Sequence, residues 1–116
     1  SFTMLPKKNR LTTEEVKFLF KKGTSIALRH FFVRNRRNRQ KESRFAIVFD
    51  KRISIQSHER NFFRRAVYEA IRKNFQLLTE PLDVAYIIKP SLLQEKRKNI
   101  ESCVIEGLIT LQKFYG

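Results

Sequence analysis

The chain has 116 residues, of which 41% are hydrophobic and eleven are Phe. This size suits one domain with its own core and excludes two, and the composition excludes a disordered basic tail. Lys and Arg total 25 against 11 Asp and Glu, which gives a formal net charge of +14 at pH 7. Such a charge repels itself in a compact state, so it indicates a polyanionic partner: nucleic acid first, an anionic membrane surface second, an acidic protein third.

Three further features of the whole sequence bear on the cellular compartment, on membrane insertion and on the natural start of the chain. Cys103 is the single cysteine of the sequence, so an internal disulfide is excluded and a reducing cytoplasm is favoured. No apolar run approaches the roughly 18 residues that span a bilayer, and no membrane partner is predicted. Met4 is the expected natural start, which makes residues 1–3 a predicted remnant of an expression tag within a single domain over residues 1–116.

The first half of the chain predicts one helix and two strands. Thr12 and Glu15 have the spacing of a capping box, and Gly23 offers a stop, so a helix is expected over residues 13–22. Residues 28–34 and 44–50 are rich in aromatic and β-branched side chains and are expected to form an antiparallel pair of strands.

The second half predicts two helices around one strand. Apolar residues recur at helical spacing over residues 59–76. Residues 83–89 form a strand, and Ser91 is expected to cap a last helix that runs to about residue 113. The order α, β, β, with room for a further short strand, then α, β, α, predicts an α+β fold in which helices pack on one small sheet.

The helix predicted over residues 59–76 carries the strongest candidate binding surface. One arc is apolar, and the other carries Asn61, Arg64, Arg65, Tyr68 and Arg72. Planar guanidinium groups meet phosphate oxygens with two hydrogen bonds, and a helix of about 25 Å places a row of them along a backbone. The alternative is a solvated outer face, but exposed helices usually alternate charge signs, and this arc is almost purely positive.

Other candidate features are weaker or absent. The basic loop over residues 34–41 supplies nonspecific attraction. Rings and cations in the strand over residues 28–34 suit stacking of unpaired bases, although most of these Phe are equally suited to a core. Carboxylates are scattered, so a self-contained two-metal nuclease is disfavoured, and neither a Gly-rich phosphate loop nor zinc-ligand spacing occurs.

From Leu5 to about Leu111 the sequence resembles the protein component of bacterial ribonuclease P. The hallmark of that family is an Arg-Asn-Arg box that runs into a basic helix. Matching positions here are Arg60, Asn61, Arg64, Arg65 and Glu69. Lys51 and Arg52 resemble the family's lysine pair, and residues 83–90 resemble its late strand and proline. Phe62 and Tyr68 stand where Arg is common, and Asp50 replaces a small polar residue.

The resemblance implies a left-handed crossover in the fold and a catalytic RNA partner that hydrolyses precursor tRNA at its mature 5′ end with Mg²⁺. The metal would be held mainly by that RNA, with none bound by protein side chains alone and no catalytic residue in the protein. By carry-over, the catalytic RNA would contact Lys51, Arg52, Arg60, Asn61, Arg64, Arg65, Tyr68 and Arg72. The single-stranded 5′ leader would lie in a cleft between the first helix and the sheet, near Val16, Phe20, Arg29, Phe31, Val33 and Lys89.

Three other functions share part of this evidence. A stand-alone RNA-binding or ribosomal protein explains the charge. It does not explain why the Arg-Asn-Arg box, the basic pair and the late strand match the family in order and spacing. A metal-dependent nuclease acting by itself lacks the carboxylates, and a helix-turn-helix DNA-binding protein is disfavoured by the intervening strands. No small-molecule substrate is predicted.

Overall fold

In the computed structural model, which describes residues 5–116, three α-helices and four strands form the predicted α+β fold. The elements are α1 (Thr13–Lys22), β1 (Thr24–Ala27), β2 (Phe31–Arg37), β3 (Arg44–Phe49), α2 (Ser57–Asn74), β4 (Leu82–Ile88) and α3 (Arg97–Tyr115). The predicted tag remnant falls in residues 1–4, outside the described part of the chain. Within residues 5–116, no helix combines the length and apolar character needed to cross a bilayer.

The first and second helices form where local sequence signals place them. α1 has the predicted bounds, and its capping box is complete: Glu15 N donates to Thr12 Oγ1 at 3.2 Å and Thr12 N to Glu15 Oε1 at 2.8 Å. At the other end, a Cβ on Gly23 would lie 2.7 Å from the Leu19 carbonyl oxygen, so the close turn there requires glycine. α2 begins two residues earlier than predicted, where Gln56 N donates to Glu59 Oε1 at 3.2 Å.

Two predicted elements are wrong in detail. The strand expected over residues 28–34 is replaced by β1, a turn and β2, which continues through its basic end to Arg37. Ser91 does not cap the last helix. It lies in a 3-10 helix (Pro90–Gln94) and its hydroxyl is 2.7 Å from Nδ1 of the buried His30, so α3 starts only at Arg97.

The sheet order is β1-β2-β4-β3, and this corrects the predicted antiparallel pair of the two early strands. β4 lies between β2 and β3, antiparallel to the first and parallel to the second. β4 takes an inner position because its residues are apolar almost throughout, which suits a strand covered on both faces. The connection from β3 through α2 to β4 is therefore a parallel crossover, whose left-handed sense stays a prediction.

The two faces of the sheet are covered unequally. α2 and α3 pack on one face, where Phe31, Val33, Phe45, Tyr86 and Ile88 belong to the main core. On the opposite face α1 makes a smaller core, in which Leu19 packs on Ala46 and Ala85. Because one short helix covers only the middle of that face, sheet residues on both sides of α1 stay accessible.

Candidate nucleic-acid interface

The N-terminal half of α2 carries an arginine face, formed by Arg60, Arg64 and Arg65. The guanidinium carbons of Arg60 and Arg64 lie 4.8 and 5.3 Å from the centre of the Phe49 ring, at the end of β3. Arg60 also donates to the Ile53 carbonyl oxygen at 3.2 Å. An aromatic ring holds a cation in place without neutralising it, so both charges remain available to a partner.

This arginine face is not tied to internal carboxylates. Among residues 5–116, no Asp or Glu oxygen lies within 4.0 Å of the charged nitrogens of Arg60, Arg64 or Arg65. Arg65 and Asn61 are exposed beside them, and Asn61 Oδ1 accepts from Arg64 Nη1 at 3.5 Å. These four residues lie within two turns of the same helix, and guanidinium N–H groups without a carboxylate partner suit phosphate oxygens. Their contact with RNA stays a prediction.

The two basic residues in the turn after β3, Lys51 and Arg52, differ in their contacts. Lys51 is exposed. Arg52 instead makes two 3.0 Å hydrogen bonds with the Asp50 carboxylate, and these bonds, with a backbone one from Arg52, lower the pKa of Asp50 to about 2. At neutral pH Arg52 therefore meets any partner with its charge partly neutralised.

The C-terminal half of α2 contributes less than predicted. Tyr68 is buried in the main core, and burial raises the pKa of its hydroxyl, so its ring is not a free stacking surface. Arg72 pairs with Glu69 at 2.8 Å, and Lys73 approaches the same carboxylate at 3.6 Å. Available positive charge is thus concentrated in the N-terminal half of the helix.

On the opposite face of the sheet, one flank of α1 and the sheet row beside it form an apolar surface. Val16 and Phe20 lie on one flank of the helix, and the uncovered sheet row beside it contains Phe32, Ile87 and Val48, which are aligned across β2, β4 and β3. We call these five residues the apolar cleft. Phe20 is 42% exposed, which leaves a ring surface open for stacking.

Cations frame this cleft from two sides. Lys89 Nζ lies 4.2 Å from the centre of the Phe32 ring and donates to the Leu28 carbonyl oxygen at 2.5 Å. Arg34 Nη2 donates to carbonyl oxygens at the C-terminal end of α1, including that of Phe20 at 2.5 Å. Lys89 therefore lies beside the Phe32 ring of the cleft, and Arg34 is an additional residue that positions α1 on the sheet.

Three residues predicted for this cleft lie elsewhere. Phe31 and Val33 are 0% exposed in the main core on the other face of the sheet, so they cannot touch a ligand. Arg29 is exposed in the turn before β2, and its charge lowers the pKa of the half-buried Cys103 thiol on α3, which burial, Glu106 and Glu95 raise. The prediction placed the odd-numbered residues of β2 on the wrong face.

The residues that sequence reasoning missed are Phe32, Val48 and Ile87, together with Arg34. A usable signal was present in β2, because Phe32, Arg34 and Arg36 alternate with Phe31, Val33 and Asn35. The set that contains two arginines belongs on the more accessible face. For β3 and β4 no such signal exists, since both of their faces are apolar.

Over residues 5–116, no three His, Cys, Asp or Glu side chains come close enough to share an ion. The tightest ionic cluster joins Arg44 to Glu15 at 2.6 Å and to Asp83 at 2.8 Å, which stabilises the contact of α1 with the sheet.

Comparison with known proteins gives this arrangement a family. A family model described as Ribonuclease P matches residues 5–112. The chain belongs to the ribonuclease P protein family. It is therefore the protein subunit of ribonuclease P, an endoribonuclease that processes tRNA.

Solved structures agree with the ribonuclease P family at the level of fold. The ribonuclease P protein from Thermotoga maritima superposes with a TM-score of 0.78 at 23% identity, over 92% of this chain and 98% of that one. The ribonuclease P protein from Staphylococcus aureus superposes with a TM-score of 0.78 at 21% identity, over 93% of this chain and 98% of that one. A comparison with curated protein sequences found no match.

Proposed function

We propose that the arginine face of α2 binds the catalytic RNA of ribonuclease P, while the apolar cleft beside α1 holds the single-stranded 5′ leader of precursor tRNA. The observation that carries the first part is that Arg60 and Arg64 share the Phe49 ring, that Arg65 is exposed next to Arg64, and that none of the three has a carboxylate partner in the described chain. Such a surface gains most by neutralising phosphates and releasing their counterions.

The second part of the proposal rests on the chemistry of the cleft. Exposed rings and flanking cations bind unpaired bases by stacking and charge, which tolerates many sequences. Phe20 and Phe32 supply rings on opposite walls, and Lys89 supplies the cation. A leader that differs among tRNA precursors requires this kind of tolerant site.

The same proposal assigns hydrolysis to the RNA partner, with Mg²⁺ held mainly by that RNA, in a cytoplasmic ribonucleoprotein. Two RNAs that meet at one site repel each other. A protein of net charge +14 between them lowers that repulsion and thus the Mg²⁺ concentration required. In this proposal the residues of this chain bind and orient the two RNAs. The assignment of hydrolysis to the RNA partner comes from the family resemblance.

Reconstitution tests the proposal. The protein is added to a ribonuclease P RNA at a Mg²⁺ concentration too low for the RNA alone, and cleavage of precursor tRNA at the mature 5′ end is measured. We expect cleavage to be restored, and the double variant Arg64→Ala/Arg65→Ala to require more protein for the same rate. Lys113→Ala, which removes an exposed charge at the end of α3, is the matched control. Absence of stimulation by the wild-type protein contradicts the proposal.

The leader site is tested separately with two substrates. We expect Phe20→Ala and Phe32→Ala to weaken binding of precursor tRNA that carries a leader, and to leave unchanged the binding of mature tRNA, which has none. Equal effects on both substrates would show that these residues act on the fold and not on the leader.

A further inference from the structure

The other flank of α1 borders a second concavity, distinct from the apolar cleft. It has a volume of about 750 Å³ and is closed by the basic end of β2 and the C-terminal end of α3. We call it the basic groove and define it by Phe18, Lys22, Arg36, Arg39 and Tyr115. On the α1 helical wheel Phe18 and Lys22 lie on the side away from Val16 and Phe20, so the helix separates the two depressions.

Aromatic rings and guanidinium groups are paired along this groove. The guanidinium carbon of Arg36 lies 4.8 Å from the centre of the Phe18 ring, and that of Arg37 lies 5.2 Å from the centre of the Tyr115 ring. Phe18 is nevertheless 52% exposed, more than any apolar-cleft residue. An exposed ring backed by a cation is a stacking platform for a nucleobase.

Arg36 has an unmet hydrogen-bonding requirement. Its Nη1 is buried and has no hydrogen-bond partner in the described chain. A buried guanidinium N–H without an acceptor is costly, and a shift of the Arg36 side chain towards the groove would let a phosphate or base oxygen satisfy it.

The charges of the groove favour an anion. Its carboxylates already have partners: Glu15 and Asp83 bind Arg44, and Glu14 lies 3.5 Å from Lys17. Lys22, Arg36 and Arg39, by contrast, have no carboxylate oxygen within ion-pair distance among residues 5–116. Cations without partners therefore outnumber carboxylates without partners in this groove.

We propose that the basic groove is a second RNA site, which binds an unpaired RNA segment with a base stacked on Phe18 and a phosphate on Arg36 and Arg39. The inference rests on the proposed function only in that the ligand is RNA. Both RNAs of the complex offer this chemistry, so the experiment must identify which of them supplies the segment.

Photo-crosslinking in the reconstituted complex tests the site. A benzophenone-bearing phenylalanine analogue replaces, one at a time, Phe18 in the groove, Phe20 in the apolar cleft and Ile109 on the outer surface of α3. The native side chains are exposed to similar extents, 52, 42 and 42%. The catalytic RNA and the precursor tRNA are labelled in turn, and the crosslinked nucleotides are mapped.

We expect position 18 to crosslink an RNA at nucleotides different from those reached from position 20, and position 109 to give background yield. If position 20 crosslinks and position 18 stays at background, or if both reach the same nucleotides, the second site is excluded while the proposed function stands. If neither position crosslinks RNA, both proposals fail.

An affinity measurement gives an independent test. We expect Phe18→Ala to weaken binding of the RNA that crosslinks to position 18 by at least about fivefold, the lower end of what one stacked base contributes. Ile109→Ala is the control and should leave affinity unchanged. Equal affinities for wild type and Phe18→Ala would overturn the assignment of the stack.

Discussion

Single residues decide how much of the net charge a partner can use. Arg60 and Arg64 are held against the Phe49 ring and keep their charge, whereas Arg52 and Arg72 are each bonded to a neighbouring carboxylate. Paired surface cations lose part of their attraction for phosphate because the carboxylate repels it. Arginines that look equivalent in the sequence are therefore unequal in the folded protein.

The first prediction concerns two of the three arginines without a carboxylate partner, Arg64 and Arg65. Arg64→Ala and Arg65→Ala should each weaken binding to the catalytic RNA and lower the slope of log affinity against log salt by about 0.7–0.9, because each removes about one phosphate contact. The measurement is a salt titration of binding for each variant. Lys113→Ala should leave the slope as it is. Unchanged slopes for both arginine variants would mean that α2 presents only a solvated surface.

The second prediction concerns Asp50. The Asp50→Asn change removes the charge that holds Arg52 but keeps an oxygen for the Arg52 backbone N–H, so RNA affinity should rise. The pKa of Asp50 is lowered from 3.8 to about 2, so the carboxylate is ionised at any pH well above that value. The difference between variant and wild type should therefore be constant from about pH 5 to 8 and shrink only as Asp50 becomes protonated in strong acid. An affinity below that of wild type would contradict this account.

At the scale of elements, contacts between helix and strand set the geometry of both depressions on the α1 face. α1 is attached to the sheet through Leu19, through the Arg44 ion pairs and through Arg34, which caps its C-terminal carbonyls. The position of this one helix defines the apolar cleft on one flank and the basic groove on the other. A change that loosens α1 should alter both.

The third prediction follows from that attachment. Arg34→Met keeps the aliphatic part of the side chain and removes the guanidinium group that bonds to the α1 carbonyls. The free energy of unfolding should therefore fall by about 1–3 kcal/mol. Amide hydrogen exchange in α1 should accelerate more than exchange in α3, and leader affinity should decrease. Arg29→Met, at an exposed arginine in the turn before β2, is the control. Uniform acceleration of exchange across the protein would show that Arg34 acts on global stability alone.

The fourth prediction concerns the packing of α3 on β4. A Cβ on Gly107 would lie 2.7 Å from the Tyr86 hydroxyl oxygen, which donates to the Val104 carbonyl oxygen at 2.8 Å. Burial raises the pKa of Tyr86, so the hydroxyl keeps its proton and that bond. Gly107→Ala should therefore lower the free energy of unfolding by about 1–3 kcal/mol despite the better helix propensity of Ala.

A double-mutant cycle by urea unfolding checks this cause. In a Tyr86→Phe background the hydroxyl is absent, and Gly107→Ala should cost clearly less than in the wild type. The same cost in both backgrounds would exclude overlap with the hydroxyl as the reason.

For the whole molecule, the excess of cations links RNA binding to stability. A compact domain of net charge +14 repels itself, and added salt screens that repulsion. As a fifth prediction, the melting temperature of the free protein should rise between about 0.05 and 0.5 M KCl, while affinity for RNA falls over the same range. Thermal unfolding and RNA binding, measured in the same buffers, test these two salt dependences. A melting temperature that falls with salt would show that ion pairs dominate the charge balance of the free domain.

Local signals predicted the elements well where they were strong. The Thr12 and Glu15 capping box with Gly23 predicted α1 to the residue, and β3 and β4 were placed within one residue of their observed ends. Errors arose where a long-range contact competes with a local one. Ser91 has the chemistry of a helix cap but bonds to His30, which is 61 positions away.

The sequence alone determined the α+β class, the family resemblance and the arginine face of α2, because capping, periodicity and charge along a helix depend on neighbouring residues. Only the tertiary structure decided that β4 separates β2 from β3, that Phe32 and not Phe31 faces the cleft, and which arginines are free of carboxylates. Strand pairing and ion pairing join residues far apart in the chain. The choice among their partners is made by packing of the whole fold, and no local pattern encodes it.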